Sequence, residues 1–258
     1  MEKKKVVRLI LILLIIAALC VIAYCGWYIY QYYMGDKLGS DIRGSWDETK
    51  LDINAQKIDI PVDFEELWAI NPEIYSWISV PGTEISYPIV QSAEDNNFYV
   101  RRSEAGVYYS GGCIYTENYN SKDYSDRLTV LYGHNLRSGR MFAEVNNFAD
   151  PQFFAEHRYI YIFLPDKALV YEIFASVPYM NRHLLANEDI NDREVYDALF
   201  DEIMGSLDSR ANFLNGVEPD FDSDKVICLS TCLQGNNRQR YLVFGRFIQE
   251  IPAADTIG

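Results

Sequence analysis

KVICLSTCLQGNNRQRYLVFGRFIQ, residues 225–249, holds two runs rich in Val, Ile, Leu, Tyr and Phe around a short polar loop. β-branched and aromatic residues favour strands. Gly235 and the neighbouring Asn residues of LQGNN are turn formers. VICLSTC therefore reads as a strand-like run ending at Cys232, and YLVFGRFI as a second strand after Arg238 and Arg240.

Moving outward, the same chemistry predicts strands at 84–90, 112–117, 127–133, 158–164 and 168–177, beside those at 225–230 and 241–249. Pro165-Asp166 makes a tight connection between two of them. One strong helix interrupts the series, INDREVYDALFDEIMGSL (190–207). Its Val195, Leu199, Ile203 and Leu207 recur at i+4, and Asn191 with Glu194 makes a capping-box-like start. A shorter helical patch is expected at 140–147, a helix at 63–70 capped by Asp63, and a second short one beginning at Asn71-Pro72. The sum is a mostly β domain with a few helices, a barrel or closed sheet.

The net charge of −14 over 258 residues argues against a general nucleic-acid binder, which needs a basic surface. The charge is uneven. Lys3, Lys4, Lys5 and Arg8 against Glu2 make the first eight residues +3, leaving −17 for the rest. From Leu9 to Tyr30 no residue is charged, and an apolar helix of about 20 residues spans a bilayer. Trp27, Tyr28, Tyr30, Tyr32 and Tyr33 cluster at its end, where interfacial belts form. The run is longer than the core of a cleaved leader, and neither Cys20 nor Cys25 follows the small residue that a lipoprotein site needs. The expected organisation is a cytoplasmic basic flank (1–8), a transmembrane signal-anchor (9–34), a polar stalk (35–60) and an extracellular domain (61–258).

Outside the anchor there are three cysteines, Cys113, Cys228 and Cys232, too few for a disulfide framework. Cys228 and Cys232, four apart on a strand, stand about 13 Å apart, beyond bridging distance. Cys228 lies mid-strand in an apolar run and Cys113 at a strand start after Gly111-Gly112; both read as core. His134 ends the run LTVLYGH between Gly133 and Asn135, whereas His157 and His183 lack such a setting. No HExxH, CxxC, GxSxG or Walker loop is present, so neither a metal nor a nucleotide is expected. A Cys, a His and an Arg at strand ends can supply a nucleophile, a proton shuttle and a stabiliser of negative charge.

The boxes LSTC (229–232), YGHN (132–135) and RYLVFGRF (240–247) together resemble those of the sortases. EELWAINPEIYSWISVPGTEISYPIVQ (65–91) is similar to the helical lead-in of class B, and the helix at 191–207 falls where that class inserts one. The resemblance covers residues 60–250. It implies a closed sortase-type β-barrel with N-terminal helices and a helix inserted between two late strands. It implies Cys232 as nucleophile, His134 as general acid/base, and Arg240, rather than Arg238, as holder of the substrate carbonyl and oxyanion. Ser230, Thr231, Asn135 and Val100 are implied as substrate-binding. The expected activity is cofactor-free cleavage of a surface protein's sorting signal after Thr, through a thioacyl enzyme, and transfer to a cell-wall amine. A pilin Lys as acceptor, or a non-catalytic β-domain that binds cell-wall or peptide ligands, are the alternatives. Leu233 departs from the pattern, since some class members carry an acidic residue after the Cys.

Overall fold

A computed structural model describes residues 2–43, 51–186 and 189–254. In chain order it contains α1 (Glu2–Arg43), α2 (Phe64–Ile70), β1 (Ile74–Ser79), β2 (Ser86–Val90), β3 (Ile114–Thr116) and β4 (Leu128–Tyr132). There follow α3 (Pro151–Glu156), β5 (Tyr159–Leu164), β6 (Lys167–Met180), α4 (Arg193–Met204), β7 (Asn212–Phe213), β8 (Val226–Leu233) and β9 (Asn236–Pro252). Two 3-10 segments, Phe98–Arg101 and Ala143–Ala149, lie in the connections.

The strands pair in the order β5-β1-β2-β3-β4-β8-β9-β6, and β6 pairs back to β5, which closes an eight-stranded barrel. β7 adds two residues to the edge of β6. The β2–β3 and β4–β8 pairs are parallel and the rest antiparallel. Pro165-Asp166 forms the two-residue turn of the β5–β6 hairpin, with Leu164 opposite Lys167.

Closure alone would leave one face of each strand in water. Here both faces are covered, so β1 and β2 are buried at every position. In β8, Ile227 and Leu229 point into the barrel, while Val226 and Cys228 face outward onto α4. α2 covers a different outer face, where Phe64 and Leu67 pack with Trp77, Phe163 and Val170. Full burial of one such side chain contributes about 1.5–3 kcal/mol, so these two outer layers add stability comparable to several core residues each.

Several expectations change. No second helix begins at Asn71-Pro72. Asn71 ends α2, accepts from Glu73 N (2.9 Å) through Oδ1, and donates Nδ2 to Tyr99 Oη (2.7 Å) and Glu104 O (2.6 Å). The residues that follow become β1, because IYSWIS is apolar enough to be buried between β2 and β5. α4 is capped by Asp192, whose carboxylate accepts from Glu194 N and Val195 N, and not by Asn191. Its buried face is Tyr196, Leu199, Phe200 and Ile203, while Leu207 lies past the helix and is wholly exposed. The patch expected at 140–147 is the 3-10 segment starting at Ala143, and α3 behind it, capped by Asp150, was not anticipated.

α1 contains Lys4–Tyr30, long and apolar enough to cross a membrane. The helix continues to Arg43, so 35–43 of the polar stretch read as a stalk are helical; 44–50 lie outside the described residues. Leu51, Ile53 and Ile60 pack on the α2 side of the barrel, and Ile58 is buried, bridging to Ala253.

Candidate active site

Cys232 is the next-to-last residue of β8, and its backbone pairs with Arg240 of β9. Arg240 therefore lies inside β9, cross-strand from the thiol, and not just before a strand as the sequence reading had it. The β8–β9 register breaks between Cys232 and Leu233, beside the Cys232 carbonyl. Two side-chain amides occupy it: Asn135 Nδ2 at 3.1 Å and Asn146 Nδ2 at 3.3 Å. Asn146 Oδ1 also accepts from Gln234 N (2.9 Å), so one buried amide holds both the nucleophile's backbone and the turn after it. A buried carbonyl left without such donors would cost about 1–3 kcal/mol.

The thiol is half-buried, and Arg240 Nη1 lies 3.4 Å from Sγ. Arg240 Nε donates to Asn181 Oδ1 at 2.8 Å. Arg238 is exposed, and among the described residues its side chain makes no hydrogen bond to Cys232.

His134 stands on the other side of Cys232. Tyr132 is level with Ser230 in the parallel β4–β8 pair, and Gly133 N donates to Ser230 O (3.1 Å). His134 and Cys232 each stand two residues beyond this pair. His134 Nε2 lies 2.7 Å from Val100 O. A carbonyl oxygen only accepts, so Nε2 carries the hydrogen and Nδ1 is the nitrogen left to exchange a proton. Gly112 makes this seat possible. Its φ is +61°, and a Cβ there would stand 2.7 Å from Val100 O and 2.9 Å from His134 Cδ2.

The other two cysteines of the barrel lie deeper. Cys228 and Cys113 are buried, and burial pushes both thiols well above the ordinary cysteine range, which keeps them protonated and unreactive. On the neighbouring β3 and β4, the rings of Tyr115 and Tyr132 stack at 5.4 Å. Burial, then the Glu117 carboxylate, raises both phenols, with Arg240 pulling the other way.

Of the residues expected to bind substrate, Val100 is half-buried and contributes its carbonyl to His134, and the Asn135 amide is committed to Cys232 O. Ser230 shares the outer face with Cys232 but is only 3% exposed. Thr231 points to the opposite, interior face and is fully buried, which removes it as groove lining. On the Asn135 side of the thiol a cavity of about 700 Å³ opens between Glu144, Asn147, Gln234 and Cys232. Sequence reading missed Asn146, Asn181 and Gly112. Asn146 and Asn181 act on partners 86 and 59 residues away, which no local pattern encodes. Gly112 carried a signal in the Gly111-Gly112 pair, since adjacent glycines often mark close backbone approach.

No family model matches the chain. Sortase B of Listeria monocytogenes is 26% identical over 171 residues, 66% of this chain and 67% of that protein. Sortase B of Staphylococcus aureus is 22% identical over 236 residues, covering 90% of this chain and 91% of that protein. Among solved structures, Clostridium perfringens sortase B superposes with a TM-score of 0.63 at 28% identity, covering 72% of this chain and 100% of its own. These homologues support a sortase transpeptidase function. The barrel that brings Cys232, His134 and Arg240 to one end is of the sortase type, and the curated relatives and solved structures that this chain resembles are class B sortases.

Proposed function

We propose that the chain is a membrane-anchored cysteine transpeptidase that cleaves a surface protein's C-terminal sorting signal after Thr and joins the Thr to a cell-wall amine. In this reading residues 9–34 anchor it, the N-terminus is cytoplasmic, and the barrel of 61–258 works outside on a stalk. The observation that carries the catalytic reading is the half-buried Cys232 thiol, with Arg240 Nη1 3.4 Å from Sγ and His134 two residues past the end of the neighbouring strand β4.

Cys232 Sγ, as the thiolate with its proton held on His134 Nδ1, attacks the Thr carbonyl carbon, and the C–S bond forms as the carbonyl π pair moves to oxygen. The oxyanion is met by Arg240. Its Nε and Nη1 are occupied by Asn181 and the thiol, and among the described residues Nη2 has no protein partner, so it offers two N–H groups to substrate. When the oxyanion collapses, the scissile C–N bond breaks, and the departing amine takes a proton from His134 Nδ1. The incoming amine then attacks the thioester, gives a proton back to Nδ1, and expels Cys232 as thiolate. Val100 O keeps Nε2–H fixed throughout, so the ring neither flips nor loses its second proton.

The test uses the full-length chain in detergent micelles and a library of sorting-signal peptides with and without candidate amines. Peptide cleavage with a Cys232-linked thioester trapped by mass spectrometry is expected, and Cys232→Ala abolishes both. Iodoacetamide labels Cys232 at least about tenfold faster than Cys113 and Cys228, as exposure and thiolate access dictate. Retained turnover in Cys232→Ala, or equal slow labelling of all three thiols, overturns the reading.

A further inference from the structure

We propose that Asn181 is a positioning residue that fixes the plane of the Arg240 guanidinium, and that the Asn181-Arg182-His183 segment couples that plane to α4 and β3. The consequence for turnover rests on the transpeptidase reading above; the geometry does not.

Asn181 is the first residue after β6, and β6 runs beside β9 with Tyr179 opposite Arg240 and Met180 opposite Gln239. Its side chain is exposed, yet Oδ1 takes the Arg240 Nε hydrogen at 2.8 Å. A guanidinium is flat and rigid, so two contacts determine its plane. Nε on Asn181 and Nη1 on Cys232 Sγ are those two. With only the sulfur contact, a weak acceptor at 3.4 Å, the group swivels about it, and the N–H groups facing substrate lose their aim.

An exposed loop amide would be a poor clamp unless its own backbone were held, and the next two residues hold it. Arg182 Nη2 pairs with Glu202 Oε2 of α4 at 2.9 Å and also bonds Tyr179 Oη. His183 Nδ1 accepts from Leu185 N (3.1 Å) and Ala186 N (2.9 Å), which places its hydrogen on Nε2, 2.6 Å from Glu117 Oε2 just past β3. Three consecutive side chains thus reach three different elements: β9 at the reactive end, α4, and the end of β3. The helix inserted between β6 and β7 gains a role beyond covering the barrel, since through Arg182 it braces the loop that aims Arg240.

The experiment is a double-mutant cycle on the full-length chain in detergent, with Asn181→Ala, Arg240→Ala and the pair, read by peptide turnover and by iodoacetamide labelling of Cys232 against pH. Asn181→Ala is expected to lower kcat at least about tenfold, the size of one hydrogen bond to a charged group, with KM within about threefold and the melting temperature unchanged. The labelling midpoint moves to higher pH, because a loosened Arg240 stabilises the thiolate less. Asn181→Asp, which keeps the acceptor oxygen, recovers most of kcat, while its added negative charge beside the guanidinium keeps the labelling midpoint high. In the Arg240→Ala background Asn181→Ala has no further effect. Additive losses, no recovery with Asp, or an unshifted labelling profile would overturn the proposal. If the wild-type chain cleaves no sorting peptide, the transpeptidase reading fails, while the labelling arm of the cycle still decides whether Asn181 acts on Cys232 through Arg240.

Discussion

Replacing Gly112 by alanine tests how the histidine seat is built. Gly112 sits at φ +61°, where a side chain costs about 1–2 kcal/mol through the clash of Cβ with the following carbonyl. A second penalty comes from packing. The new Cβ would stand 2.7 Å from Val100 O, 3.2 Å from Tyr99 O and 2.9 Å from His134 Cδ2. Two of these atoms are backbone of the 3-10 turn, where Val100 N is bonded to Asn97 O at 3.2 Å, so the turn or the imidazole must move. Overpacking of this kind costs about 1–3 kcal/mol, giving roughly 2–5 kcal/mol in total. Gly139 supplies the control: its φ is +83° and no heavy atom lies within 4 Å of its Cβ position. Gly139→Ala should therefore lose only the ~1–2 kcal/mol of backbone strain. Thermal melts of the full-length variants in detergent, followed by near-ultraviolet circular dichroism, should put Gly112→Ala roughly 2–10 °C below Gly139→Ala. Gly112→Ala should also lose peptide turnover, as His134 Nε2 leaves Val100 O. Equal melting temperatures for the two variants would refute the packing argument.

α4 and the loop after it give two more outcomes. Phe200→Ala should destabilise the barrel by about 3–5 kcal/mol, because Phe200 is buried against Phe174, Tyr196 and Phe244; Leu207→Ala should stay within ~0.5 kcal/mol, and similar melting shifts for both would return Leu207 to the packed face. The hydrogen bond from Arg210 holds the Asp208 carboxyl down at about 2 against its usual 3.8. A depressed acid stabilises the fold above the higher value, and loses that stabilisation as pH falls from about 4 to about 2. Exposure reduces the gain to about 1 kcal/mol or less. Denaturant titrations of the wild-type chain and Asp208→Asn should thus separate above pH 4 and converge toward pH 2; a gap that widens in acid would contradict the assignment.

Much of the barrel was legible because its strands are apolar on both faces and bounded by Gly, Pro and Asn. The seven expected strands all occur, within a few residues of their expected ends. β1 escaped because Asn71-Pro72 also suits a helix start, and only the contacts of Asn71 with Tyr99 and Glu104 decide for a turn into a strand. On α4, an i+4 count chose Val195 and Leu207. The buried face follows instead from where the helix ends, at Met204, and from which aromatic rings the barrel offers it.

The amino-acid sequence by itself determined that a long apolar segment precedes a mostly β domain, and that a Cys and a His stand near strand ends with an Arg in the run that follows the Cys. Those facts depend on composition and on neighbours a few residues apart. Only the tertiary structure decided that β4, which leads into His134, and β9, which carries Arg240, pair with β8 on its two sides, that Asn135 and Asn146 hold the Cys232 carbonyl, and that Thr231 faces inward. The physical reason is range. Strand register across β4, β8 and β9 is set by the whole sheet closing on itself, and a shift of one residue would turn the thiol into the core. Asn181 depends on the same closure, since β6 must run beside β9 before its amide can reach Arg240 Nε.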